Sequence, residues 1–155
     1  MLFRSYISGN SNGSYLSQNN GSINPSSSGS ITLEGNWVNN STNTGFFQDN
    51  GYVILNGSNQ SIGGNNSTTF YNLTLSGTGI KNQLINTSVG GATTTTGKLA
   101  LNNLVYQLNT FLLTITNTLT SAITYGNGYI ESETNSSVNS STLRWNLSSS
   151  PNTYI

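Results

Sequence analysis

Glu131 and Glu133 are the residues of this chain best placed, by type and spacing, to do chemistry. They alternate along a short run that opens at Tyr129-Ile130, so in a β-strand both carboxylates project from one face. Two steps along a strand set them roughly 6.6 Å apart. That is the lower end of the separation used by inverting glycoside hydrolases. General acid–base work also needs neighbours that push two pKa values apart, and the chain has few to supply. Its whole charged inventory is Glu34, Asp49, Glu131, Glu133, Arg4, Lys81, Lys98 and Arg144, with no His and no Cys. A calcium ion held by the pair and loop carbonyls is the other chemical option, since Ca²⁺ takes oxygen ligands. The plainer reading is a solvated strand edge. No catalytic residue, no cofactor-binding residue and no metal ligand is assigned, and the chain is read as a non-enzyme.

Two further groups invite a binding role. Thr93-Thr94-Thr95-Thr96, and Thr114-Ile115-Thr116 with Thr118 and Thr120, are similar to the Thr arrays of ice-binding solenoids. An ice-binding face needs one Thr at the same place in every repeat, and the uneven spacing here spoils that. High strand propensity explains the Thr runs without it. Trp37, Tyr52, Tyr71, Tyr125 and Tyr129 could stack on sugar rings, although large aromatic bodies more often fill a core. Trp145 alternates with Leu143 and Leu147, which puts all three on the inner face. Sequons such as Asn72-Leu73-Thr74 and Asn86-Thr87-Ser88 arise by chance in a chain this rich in Asn, Ser and Thr.

The elements that must position these residues follow from composition and pattern. The chain has 155 residues, 26 of them Asn, and zero formal net charge. Eight Tyr, five Phe, two Trp and only two Pro argue for a folded domain rather than disorder. Without clustered Lys or Arg, neither nucleic acid nor an anionic membrane is an expected partner. Phe111-Leu112-Leu113-Thr114-Ile115 is the longest apolar stretch and is far too short to span a bilayer. Met1-Leu2-Phe3-Arg4-Ser5-Tyr6 lacks the pattern of a signal peptide.

Short alternating runs recur at Ile31-Thr32-Leu33, Tyr52-Val53-Ile54-Leu55, Phe70-Tyr71-Asn72-Leu73-Thr74-Leu75 and Lys98-Leu99-Ala100-Leu101. They continue at Leu113-Thr114-Ile115, Gly128-Tyr129-Ile130 and Leu143-Arg144-Trp145-Asn146-Leu147. Turn pairs such as Asn50-Gly51, Asn56-Gly57 and Asn127-Gly128 separate them, which predicts an all-β chain. Leu33, Val53 and Leu73 are 20 residues apart, Leu99 follows 26 later, and Leu101 to Ile123 spans 22. Such a period predicts stacked coils: a right-handed parallel β-helix, with a β-sandwich as the alternative. Leu33, Val53, Leu73, Leu99 and Ile115 are the expected core, and Asn side chains are expected to bond between rungs.

Gly35-Asn36-Trp37-Val38-Asn39-Asn40, Gly51-Tyr52-Val53-Ile54-Leu55-Asn56-Gly57 and Gln60-Ser61-Ile62-Gly63-Gly64 together carry a recognisable pattern. It continues through Phe70-Tyr71-Asn72-Leu73-Thr74-Leu75, Thr96-Gly97-Lys98-Leu99, Gly128-Tyr129-Ile130 and Arg144-Trp145-Asn146-Leu147. Over roughly residues 31 to 155 the chain resembles the β-helical repeat regions of large adhesin-like surface proteins of Bacteroidota. The resemblance implies a secreted or outer-surface protein, commonly exported by the type IX system, in which such regions act as stalks or scaffolds.

Residues 1–155 are therefore expected to form a single solenoid segment of a longer repeat protein, with 1–30 as a leading coil. The expected role is structural or adhesive, and the alternatives are a carbohydrate-binding or carbohydrate-cleaving β-helix and an ice-binding solenoid. Leu2-Phe3 and Tyr154-Ile155 put apolar residues at both ends without polar caps. Flanking repeats or neighbouring subunits stacked at each end are the expected partners, with surface glycans as possible ligands.

Overall fold

The computed structural model describes residues 16–18 (backbone only), 29–41, 50–92, 95–132 and 141–147. Their strands are short because each runs only from one corner of a coil to the next. In chain order they are β1 (Leu16–Gln18), β2 (Ser30–Leu33), β3 (Trp37–Asn39), β4 (Tyr52–Leu55) and β5 (Gln60–Gly64). Next come β6 (Thr68–Phe70), β7 (Asn72–Leu75), β8 (Ile80–Gln83), β9 (Thr87–Val89) and β10 (Leu99–Ala100). The last are β11 (Val105–Gln107), β12 (Leu112–Ile115), β13 (Ile123–Thr124), β14 (Tyr129–Glu131) and β15 (Thr142–Trp145). A single 3₁₀ turn at Thr120–Ala122 is the only helical element among the described residues.

The strands form three sheets in which every pairing is parallel. The six-stranded sheet runs β1-β3-β5-β8-β11-β14, the five-stranded sheet β2-β4-β7-β10-β13, and the four-stranded sheet β6-β9-β12-β15. Successive coils give one strand to each sheet in turn: β4, β5 and β6, then β7, β8 and β9, then β10, β11 and β12. This is a parallel β-solenoid. An antiparallel sandwich is excluded, because each strand pairs with its counterpart one coil away.

Alternation within the strands builds the core. The inward residues Leu33, Val53, Leu73, Leu99 and Ile115 are all buried, as expected. The ladder they were expected to form needs correction. Leu33 stands beside Leu55, while Val53 stands between Ile31 and Leu73. The true row is Ile31, Val53, Leu73, Leu99 and Ile123, with steps of 22, 20, 26 and 24 residues. It is Leu99, not Leu101, that pairs with Ile123. A second row, Phe70, Val89, Ile115 and Trp145, lines the four-stranded sheet, and Trp37 meets Phe70 edge to face at 5.1 Å.

Asparagine does bond between coils, mostly to the main chain, with Asn56 Oδ1 also accepting from Ser76 Oγ one coil on. The Oδ1 atoms of Asn36, Asn40, Asn59, Asn72, Asn86 and Asn103 accept from the backbone N–H of Ser61, Asn65, Ile80, Lys98, Leu112 and Asn127. Each acceptor lies one coil before its donor. Corners leave N–H groups that no strand neighbour can reach, and an unmet polar group is costly. A short amide side chain on the preceding coil supplies the missing acceptor. Glycine serves where backbones close in: Gly64 sits at φ +118°, and a Cβ there would run into the Asn39 backbone.

Candidate binding surfaces

The carboxylate pair does not take the form expected of it. β14 ends at Glu131, and Glu133 lies outside the described residues. Glu131 is half-buried on the outer face, where its Oε2 accepts from Gln107 Nε2 at 2.8 Å. Among the described residues no three His, Cys, Asp or Glu side chains come together.

The Thr groups are scattered. Thr93 and Thr94 lie outside the described residues, and Thr95, Thr96, Thr118 and Thr120 are exposed. Thr116 is tied to the Val89 and Gly91 carbonyls. Thr114 belongs to an outer row whose other members are Thr69, Ser88 and Arg144, so no pure Thr column forms there.

The aromatic candidates divide. Trp37 is core, with Nε1 donating to Thr68 Oγ1 at 3.0 Å, and Tyr71 is half-buried with its hydroxyl against Thr96. Tyr52, Tyr125 and Tyr129 are exposed. Trp145 packs against the core from the last coil, as its alternation predicted. Leu143 shares that face, in register with buried Leu113, yet is exposed.

The six-stranded sheet holds what composition did not disclose, a polar interior. Asn39, Gln60, Lys81 and Gln83 all point inward and are buried. Lys81 is fully buried, and its Nζ donates to the carbonyls of Gly57 (2.7 Å), Ser58 (2.9 Å) and Thr78 (3.3 Å) and to Gln60 Oε1 (2.8 Å). These acceptors are neutral, so desolvation dominates and lowers the ammonium from 10.5 to about 8. One coil on, in register with Lys81, Tyr106 donates to Gln83 Oε1 at 3.0 Å, and burial raises its phenol despite a Thr87 hydrogen bond.

The outer face of this sheet is organised in rows. Asn36, Ser61, Asn82, Gln107 and Glu131 follow in register through five coils. Ile80, Val105 and Tyr129 run along one side of that row, and Val38, Gly63 and Leu84 along the other. Ile80, Leu84 and Tyr129 are exposed, the tyrosine by 56 %.

A cavity of about 310 Å³ opens at the last described coil, lined by Leu101, Ile123, Tyr125, Tyr129, Ile130 and Trp145 among others. Ile123, Ile130 and Trp145 are the inward residues of β13, β14 and β15, left partly buried, whereas Leu99, Tyr106 and Ile115 one coil earlier are covered. No helix of the described residues is long and apolar enough to cross a membrane. Comparison with protein-family models, with curated proteins and with solved structures finds no match to this chain.

Proposed function

We propose that this chain is a non-catalytic coil segment of a longer β-solenoid displayed outside a bacterial cell, acting as a stalk or adhesive filament. The observation that carries the reading is the stack itself, three sheets in which every described strand pairs in parallel with its counterpart one coil away. Among the described residues β13, β14 and β15 end the three sheets as parallel edges, and their inward residues Ile123, Ile130 and Trp145 line an apolar cavity. Such an edge invites another strand of the same geometry, and an apolar hollow of this kind favours a covering layer. A further coil of the same geometry supplies both at once. The sparse ionisable inventory and the resemblance to adhesin-like repeat regions support the same reading, including secretion or outer-surface location.

Sedimentation over a concentration series tests it. The chain alone should associate, and Ile130→Lys in the last coil should reduce that association. In a Trp37→Phe background the emission of Trp145 should shift to shorter wavelength as the ends meet. A monomer at every concentration, with Trp145 unchanged, would refute stacking. Labelling of intact against permeabilised source cells checks the location.

A further inference from the structure

The outer rows of the six-stranded sheet form a track along the solenoid axis. Its centre is made of amides and hydroxyls, Asn36, Ser61, Asn82 and Gln107, and it is flanked in part by apolar residues. Ile80, Val105 and Tyr129 on β8, β11 and β14 run along one side, and Val38 and Leu84 on the first three coils along the other, the two flanks facing each other across Asn82. The other two sheets lack this arrangement: one outer row reads Thr32, Ile54, Thr74, Ala100 and Thr124, the other Thr69, Ser88, Thr114 and Arg144. We infer that the track is a binding surface for a neutral, β-linked polysaccharide chain lying along the axis.

Three properties choose the ligand. Among the described residues the central row of the track carries one charge, Glu131, already engaged by Gln107 Nε2, and no cation to attract a polyanion. Amide groups both donate and accept, which suits hydroxyls presented at varied angles. An exposed tyrosine ring and aliphatic walls offer flat apolar contact to the C–H faces of pyranose rings. The spacing also fits. Coils repeat at about 4.8 Å, so the five central positions span about 19 Å, and the pyranose repeat of an extended β-linked glycan is similar in length.

The inference rests on the surface-array reading above, but its failure would leave end-to-end association intact and separately measurable. Affinity chromatography of the whole chain on immobilised hydroxyethyl cellulose, a neutral β-linked glucan, is the test. Retardation should persist in high salt, and cellohexaose should compete while cellobiose does not, because only the longer chain spans several coils. Tyr129→Ala and Asn82→Ala should each weaken binding about tenfold, the loss of roughly one good contact, whereas Thr74→Ala and Thr114→Ala on the other sheets should have no effect. Four results would overturn it. They are no retardation, equal or stronger retardation by anionic alginate, equal effects of the variants on all three faces, and sedimentation showing that Tyr129 and Asn82 mediate self-association instead.

Discussion

Lys81 and Gln60 face each other in register on neighbouring strands of the six-stranded sheet, joined by a 2.8 Å bond from Nζ to Oε1 inside the solenoid. The pair binds three coils. Gln60 Nε2 reaches back to the carbonyls of Leu33 and Gly35, its Oε1 also accepts from the Gly57 N–H, and Lys81 gathers Gly57, Ser58 and Thr78. None of these partners is a carboxylate. Desolvation of the ammonium is therefore offset by hydrogen bonds to dipoles and not by an opposite charge.

Stability should consequently rise in mild alkali. Below pH 8 Lys81 is protonated in both the folded and the unfolded chain, and its contribution is constant. Between about 8 and 10.5 the unfolded chain still holds a proton that the folded chain has released, so stability increases with pH. Lys81→Met should abolish that slope. At neutral pH it should cost on the order of 1–3 kcal/mol, because the carbonyl acceptors lose their donor. Urea unfolding at pH 7, 8, 9 and 10, as working points around that window, checks both statements.

Tyr106 titrates with the opposite sign. Its folded-state pKa lies above the ordinary 10.0, so its stabilising contribution is complete below pH 10 and declines once the unfolded phenol ionises. Stability should therefore turn downward above pH 10. Tyr106→Phe should soften that decline and cost about 1–2 kcal/mol at neutral pH, since Gln83 Oε1 loses its donor. Thermal melts of the two proteins on either side of pH 10 would show it, and identical alkaline limbs would contradict the assignment.

The sequence disclosed two of the three sheets better than the third. Ile31-Thr32-Leu33 and Leu113-Thr114-Ile115 alternate apolar with polar, and each became a strand with its apolar residues inside, while the β-rich run Tyr52 to Leu55 became a strand with Val53 and Leu55 inside. The six-stranded sheet was harder to see because polar Asn39, Gln60, Lys81 and Gln83 share its inward positions with Trp37, Ile62 and Tyr106. In Ile80-Lys81-Asn82-Gln83 the single apolar residue faces out, so hydrophobic periodicity carries no signal there. The loose period was legible, but the pairing of Leu33 with Leu55 was not. Corner loops differ in length from coil to coil, and only closure of the backbone sets the register. Glu131 was legible as a strand residue. Its bond to Gln107, 24 positions earlier, was not.

Adjacent glycines on β5 should respond differently to the same change. Gly63→Ala meets only Leu84 side-chain atoms at 3.5 Å or more and should be nearly neutral. Gly64→Ala combines a φ of +118° with a collision against the Asn39 backbone, and should cost at least about 1–3 kcal/mol. Denaturation midpoints of the two variants decide it, and equal values would mean that the corner can move.

Asn86 supplies the acceptor for the Leu112 N–H at 2.9 Å on an exposed corner. Asn86→Ala should cost about 1 kcal/mol, and Asn86→Asp, which keeps the oxygen, should retain most of it. Hydrogen exchange at Leu112 is the direct readout, with faster exchange in Asn86→Ala than in Asn86→Asp.

The asparagine corners also give the molecule an arrow. In each of those bonds the side-chain oxygen belongs to the earlier coil and the N–H to the later one. A chain delivered with its N-terminus first thus completes its acceptors before the matching donors arrive. Every finished coil is a template whose vacant oxygens fix where the next corner must turn. Winding from that end is a zipper that closes one tooth at a time, each new N–H meeting an oxygen already in place. Nearest-neighbour contacts already permit growth by addition, and at these corners growth from the N-terminus adds the donor to a waiting acceptor every time.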